Sequence, residues 1–225
     1  VIDRELEVLL DSLPVIHFVG VDAATHSGGA LFRVDRAGFT PSQVKPPGLF
    51  AARGGVVREV TLAAVRTCTL GGEWTFACDL LADVEASRAA GGPPPLLVVA
   101  WEDQYLGKNP QSMMTVVAAR ARLLHALELR ARQKGVRLHA VDVNTMSWQS
   151  KVLGRHRRKL RATIKATSDC IAPKIAAACG SAVRPQGDAA DATCIGLHEI
   201  ARHYTIDLAA IRGESGEPEE RRRRR

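Results

Sequence analysis

Six consecutive apolar residues, Leu96 to Trp101, stop abruptly at two adjacent carboxylates, Glu102 and Asp103. A run so short and so uniformly apolar belongs to a strand covered on both faces, which places it inside a layered α/β sheet. Ligands of such sheets bind beyond the carboxyl ends of the strands, where loops and helix termini converge. The central strand therefore delivers an acid to the place where ligands bind.

The rest of the chain supplies neighbours for that strand. Leu6, Leu9, Leu10 and Leu13 fall at helical spacing within Asp3 to Leu13, so residues 1–14 read as a helical extension outside the sheet. Val15 to Val21 is an apolar strand that ends in Asp22. The small residues 23–29, closing with Gly28 and Gly29, read as a turn into a second strand, Ala30 to Val34. Residues 36–55 are rich in Pro and Gly without periodicity, which predicts an inserted loop. Val56 to Leu70 is the third strand. Thr75 to Ala90 is a helix with Phe76, Leu80, Leu81 and Val84 on one face, ended by Gly91, Gly92 and three prolines.

Beyond the central strand, Pro110 opens a helix from about Gln111 to Lys134 that Gly135 stops. Val136 to Val143 is a fifth strand, and 144–154 a connector that carries Trp148. Arg155 to Cys179 is a basic helix, interrupted near Pro173, and Gly187 introduces the last helix, Asp188 to about Arg202. After that the composition turns to Gly, Glu, Pro and Arg, and 206–225 reads as a disordered tail. One domain over 15–205 accommodates all five strands.

Charge narrows the partners. The chain carries +7 with a sequence pI near 9.5. From Arg212 onward six arginines face four glutamates, a net +2, so +5 belongs to the body. Eight of the fifteen residues from Lys151 to Lys165 are Lys, Arg or His. Such a run is a solvated helix face or a binding surface for a polyanion. The five scattered cysteines form no C-x-x-C pair and read as reduced thiols. No apolar run approaches the roughly 18 residues of a membrane span, and no basic-then-apolar leader is present. The expectation is a soluble, cytoplasmic protein.

Four acids form the informative set: Asp22 and Glu102 at two strand ends, and Asp188 and Asp191 in the first turn of the last helix. Capping and the helix dipole explain the last two. An acid after each of two apolar strands needs more, because carboxylates beside a buried sheet must be paired or bind a cation. Four converging carboxylates repel one another unless hard cations lie between them, and oxygen-only donors suit Mg²⁺ or Mn²⁺ rather than zinc. In a basic protein this points to two-metal phosphodiester chemistry, in which one ion activates the attacking water and the other stabilises the leaving oxygen.

Three segments, in order, resemble the RuvC-type Holliday-junction resolvases of the ribonuclease H-like superfamily. They are FVGVD from Phe18 to Asp22 with Gly28 and Gly29 after it, EDQYLGKN from Glu102 to Asn109, and DAADA from Asp188 to Ala192. The resemblance covers roughly Val15 to Ala201. Its first segment is shared with actin-like ATPases and sugar kinases; the second and third together are the specific part.

The resemblance implies a ribonuclease H-like α/β fold, a mixed five-stranded sheet of three antiparallel strands and then parallel strands, flanked by helices. It implies that Asp22, Glu102, Asp188 and Asp191 are catalytic and bind two Mg²⁺ ions, with Mn²⁺ substituting. Asp103 has no counterpart among those ligands. Tyr105, three residues after the Glu, corresponds to an aromatic that meets unstacked bases at the crossover. Basic residues after the fifth strand contact the scissile phosphate, with Lys151, Lys159 and Lys165 the candidates. Lys108, Arg157, Arg158 and Trp148 complete the expected DNA-binding set. The implied activity is that of a Mg²⁺-dependent crossover-junction endodeoxyribonuclease, a homodimer that resolves four-way junctions by paired symmetric cuts. The N-terminal helix, the insertion at 36–55 and the arginine tail are similar to more divergent phage, viral or organellar relatives, some of which cut a wider range of branched DNA.

Two other classes compete with this reading. An actin-like or sugar-kinase-like ATPase explains the first segment but not DAADA, and a non-catalytic branched-DNA-binding subunit explains the charge alone. Among single residues, His17 and His198 read as packed histidines, His26 as a candidate phosphate contact, and Trp74 and Trp101 as core. Trp148 reads equally as core or DNA contact. Met113, Met114, Val117 and Leu124 on the long helix read as a dimer interface or a core stripe.

Overall fold

The computed structural model describes residues 4–23, 26–36, 50–51, 57–86, 93–103, 110–154 and 161–213. In chain order the elements are α1 (Arg4–Ser12), β1 (Val15–Asp22), β2 (His26–Arg36), β3 (Phe50–Ala51), β4 (Val57–Thr69), α2 (Glu73–Ala86) and β5 (Leu96–Glu102). There follow α3 (Pro110–Lys134), β6 (Arg137–Val143), α4 (Thr145–Val152), α5 (Arg161–Ala178), α6 (Asp188–His203), β7 (Thr205–Ile206) and α7 (Leu208–Arg212). Five strands form one sheet in the order β4-β2-β1-β5-β6. β1, β2 and β4 pair antiparallel, while β5 runs parallel to β1 and β6 parallel to β5. This is the mixed sheet, three antiparallel strands and then parallel ones, that the resemblance implies.

Alternation along the strands splits the core in two. Ile16 and Phe18 of β1 with Leu96, Val98 and Ala100 of β5 face one layer, which α1, α4, α5, α6 and α7 complete. Val19, Val21, Leu97, Val99 and Trp101 face the other, closed by α2 and α3. Successive side chains of a strand point to opposite faces, so a strand covered on both sides must be apolar throughout. That is the origin of the uninterrupted run ending at Glu102.

The glycines after Asp22 do not make a turn. Gly28 and Gly29 lie inside β2, where Gly28 pairs with Asp22 and Gly29 with Val21. A Cβ at Gly28 would collide with the backbone of Asp188 and Ala189, and one at Gly29 with the ring of Phe76. The pair thus lets α6 approach one face of the strand and α2 the other. Gly20 of β1 does the same deeper in the sheet. A Cβ there would strike Ala192 O and Gly196 N and stand 2.8 Å from Gly196 Cα. α6 therefore lies backbone to backbone on β1, and every residue from Ala189 to Ile200 is buried.

Several expectations need correction. The connector at 144–154 contains α4: Asn144 caps it by accepting the Ser147 N–H at 3.2 Å, and Trp148 and Val152, one turn apart, both turn into the core. α5 runs through Pro173 without a break, with Ile171, Ala172, Ile175 and Ala176 buried on either side of it. Residues 206–213 of the expected tail are folded. Ile206 pairs with Phe50, Asp207 caps α7 by accepting the Ala210 N–H at 2.9 Å, and Ile211 is buried, so apolar residues there do find a surface to cover. Within the expected loop at 36–55, Phe50 and Ala51 form a short strand; residues 37–49 and 52–56, like 214–225, lie outside the described residues. Trp101 is core as expected, but Trp74 is 44% exposed. On α3, Met114 and Val117 face solvent and Leu124 packs against the second core layer, so the four residues do not form one stripe; the Met113 side chain lies outside the described residues.

Candidate functional site

The site forms where β1 and β5 end side by side and α6 begins. Val21 of β1 is the partner of Trp101 of β5, so the next residue of each strand, Asp22 and Glu102, emerges at the same edge of the sheet. α6 arrives from below, held against Gly20 and Gly28, and its first turn carries Asp188 and Asp191. Carboxylate oxygens of Asp22, Asp188 and Asp191 lie within 4.8 Å of one another. Residues 166 positions apart in sequence are brought together by strand order and by two glycines.

Capping is not the role of the two helix acids. The N-cap of α6 is Gly187, with φ of 58° and no side-chain cap. Its own N–H donates to Asp169 Oδ1 of α5 at 2.6 Å. Asp188 and Asp191 are thereby left to face Asp22, at the positive end of the helix dipole.

Lys165 holds these charges together. It lies on α5 one turn before Asp169, and its Nζ is 2.5 Å from Asp188 Oδ1, 2.8 Å from Asp191 Oδ2 and 3.9 Å from Asp22 Oδ2. Burial alone would lower its pKa, but hydrogen bonds to Asp188 and Asp191 and the charges of Asp191 and Asp22 outweigh it, and the ammonium is held above the usual lysine value. Burial pushes the Asp22 carboxyl up, Glu102 and Asp191 push it further, and Lys165 opposes them, leaving it at about 7. Desolvation leads the shift, and the neighbouring carboxylates add more to it than the one ammonium takes away.

Glu102 stands outside the group of three. Its Oε1 accepts a hydrogen bond from Trp148 Nε1 at 2.9 Å, although its charge still reaches Asp22. The expected convergence of four acids is thus a cluster of three with the fourth beside it. Trp148 itself is 2% exposed, so its ring belongs to the core beneath the site and presents no face to DNA.

The donor set fits a hard divalent cation. All donors are carboxylate oxygens, and Asp191 Oδ1 is buried with no hydrogen-bond partner among the described residues, an acceptor that a cation would satisfy. The Lys165 ammonium lies among the same oxygens.

Other expected residues are placed as follows. Lys151 is exposed on α4, and its backbone carbonyl accepts from Arg212. Tyr105, Lys108, Arg157, Arg158 and Lys159 lie outside the described residues. His26 is exposed on the rim of a cleft of about 690 Å³ that runs past Arg66, Thr67, Thr69 and Gln186 to Asp188. His17 and His198 are buried, each with its pKa lowered by burial to about 4; the Arg33 charge adds to the shift at His17 and the Lys151 charge at His198. Asp169 was not singled out in the sequence. Its only signal is its position four residues after Lys165 on one helix face.

No family model and no curated protein sequence matches the chain. Its structure is similar to that of Thermus thermophilus RuvC, at 17% identity over 88% of this chain and 97% of that one, with a TM-score of 0.48. It is similar to T. thermophilus RuvC in complex with Holliday junction substrate at 17% identity, covering 82% of this chain and 93% of that one, TM-score 0.48. It is also similar to Ydc2, the yeast mitochondrial Holliday junction resolvase, at 11% identity, covering 94% and 89%, TM-score 0.41.

Proposed function

We propose that this protein is a metal-dependent, structure-selective endonuclease that nicks branched DNA, chiefly four-way junctions. The observation that carries the reading is the cluster of Asp22, Asp188 and Asp191 around a shared space at the carboxyl end of a sheet, with a buried acceptor oxygen on Asp191 and Glu102 alongside. Such a site calls for divalent cations, and the basic body of the chain calls for a polyanion. Asp22, Asp188, Asp191 and Glu102 would hold two Mg²⁺ or Mn²⁺ ions. Bound there, the ions would activate water and stabilise the leaving oxygen of an in-line phosphodiester displacement.

The chain's own residues do the rest. The helix terminus and the two strand ends fix where the carboxylates attach, so little backbone movement is needed before reaction. Lys165, at the mouth of the cluster, exchanges its carboxylate partners for a phosphate oxygen when substrate arrives. Junction selectivity is supported by the three resolvase-like segments. Paired cuts need two active sites, and exposed Met114 and Val117 on α3 offer an apolar surface to a second copy. Tyr105, Lys108, Lys151, Arg157, Arg158 and Lys159 are proposed to line the path of the DNA.

A synthetic four-way junction incubated with Mg²⁺ tests this directly. Wild type cleaves it, and Asp191→Asn binds it without cleaving. Loss of binding as well, with the fold intact, counts against the assignment. Binding without cleavage by wild type points to a non-catalytic subunit, and ATP hydrolysis without cleavage to the ATPase class.

A further inference from the structure

A buried indole N–H is a donor with no second role: it cannot accept, and without an acceptor its burial is costly. Trp148, 2% exposed, gives this donor to one carboxylate oxygen, Glu102 Oε1, at 2.9 Å. The path that brings it there is short and well tied. Glu102 pairs with Val143 at the end of β6, and the Asp103 N–H donates to Val143 O at 2.7 Å. Asn144 then caps α4, Thr145 Oγ1 donates back to Asp103 O at 3.3 Å, and one turn later Trp148 reaches over the end of β5. Val152, one turn further, anchors the same helix in the core.

We infer that Trp148 is a positioning residue for Glu102: its indole holds one carboxylate oxygen so that the side chain stays beside Asp22 in a single orientation, ready for a divalent cation. The inference rests on the metal-nuclease reading and adds to it a residue that never touches ion or substrate. A charge-assisted bond from a donor that cannot rotate away limits the carboxylate more than packing alone. Support of this kind for a metal ligand is worth about 10–100-fold in metal affinity.

Direct titration with Mn²⁺, followed by electron paramagnetic resonance or calorimetry and without DNA, is the test. Trp148→Phe keeps the aromatic volume and removes the donor, and we expect Mn²⁺ to bind about 10–100-fold more weakly. In a Glu102→Gln background the same substitution should cost nothing further. An equal loss in both backgrounds marks a merely structural role and overturns the inference, as does no loss in either. A measurement on wild type needs no substitution: the Trp148 Nε1–H resonance should move as Mg²⁺ saturates the site, and a resonance that stays in place also overturns the inference. Failure of wild type to bind any divalent ion overturns the nuclease reading itself and takes this inference with it.

Discussion

Gly20→Ala should loosen the whole site from a distance. The added Cβ would stand 2.8 Å from Gly196 Cα and nearer still to Ala192 O and Gly196 N, all main-chain atoms that no rotamer change can move. With Ala192 O only 2.0 Å away, restoring ordinary contact at about 3.5–4.0 Å requires α6 to draw back from β1 by roughly 1.5–2 Å. The helix is buried from Ala189 to Ile200, so the displacement is felt on all sides. Overpacking of this kind costs about 1–3 kcal/mol, and a backbone-on-backbone contact belongs at the upper end. For a chain of this length about 3 kcal/mol lowers Tm by about 6–12 °C. Because Asp188 and Asp191 travel with the helix, Mn²⁺ affinity should fall too. Calorimetric unfolding and metal titration measure the two effects. Gly72→Ala, whose Cβ meets nothing nearer than Thr69 O at 3.2 Å, is the control. A Gly20→Ala protein within about 1 kcal/mol of wild type and with unchanged metal affinity would refute the claim that close approach at Gly20 seats the helix.

Lys165→Met removes the ammonium from among three carboxylates. Given the partial exposure of the lysine, it should lose about 2 kcal/mol in metal-free buffer and regain it in millimolar Mg²⁺, as urea unfolding with and without the ion will show. His17, whose folded pKa of about 4 lies below the ordinary 6.5, favours the folded state above pH 6.5 and withdraws that support as pH falls towards 4. Asp22, with its pKa raised to about 7, acts in the opposite sense across that whole range. His17→Gln should therefore remove up to about 3 kcal/mol of acid sensitivity between pH 6.5 and 4, visible as a flatter dependence of urea-derived stability on pH.

The sheet was legible because each of its strands carries its own signature. The apolar run at Leu96 to Trp101 records burial on both faces, and Asp22 and Glu102 mark where neighbouring parallel strands end. The first-turn acids of α6 were visible as a pair, and strand order brought them to Asp22. The glycines were harder to read. Gly28 and Gly29 have the composition of a turn, and only a helix pressing on one face and Phe76 on the other shows that they belong to a strand.

What escaped the sequence was mostly a matter of partners from other elements. Trp148 sits in a stretch with little apolar periodicity, and its hydrogen bond joins residues 46 positions apart. Asp169 caps a helix other than its own. The order persisting past 206 depends on Ile206 meeting β3 and Ile211 meeting the core, contacts that a composition rich in Gly, Glu and Arg conceals. Lys165 was one of three lysines expected at the scissile phosphate, and its place among the carboxylates showed only when α5 set its Nζ beside Asp188.

The lysine amid the acids also bears on how the protein matures. Small zinc domains depend on their ion to fold at all, since the unfolded chain has no other means of gathering the ligands. Here the polypeptide brings its own counter-charge, so gathering Asp22, Asp188 and Asp191 does not by itself require an ion. Were the proposed cations to bind there, folding and loading would be separate events.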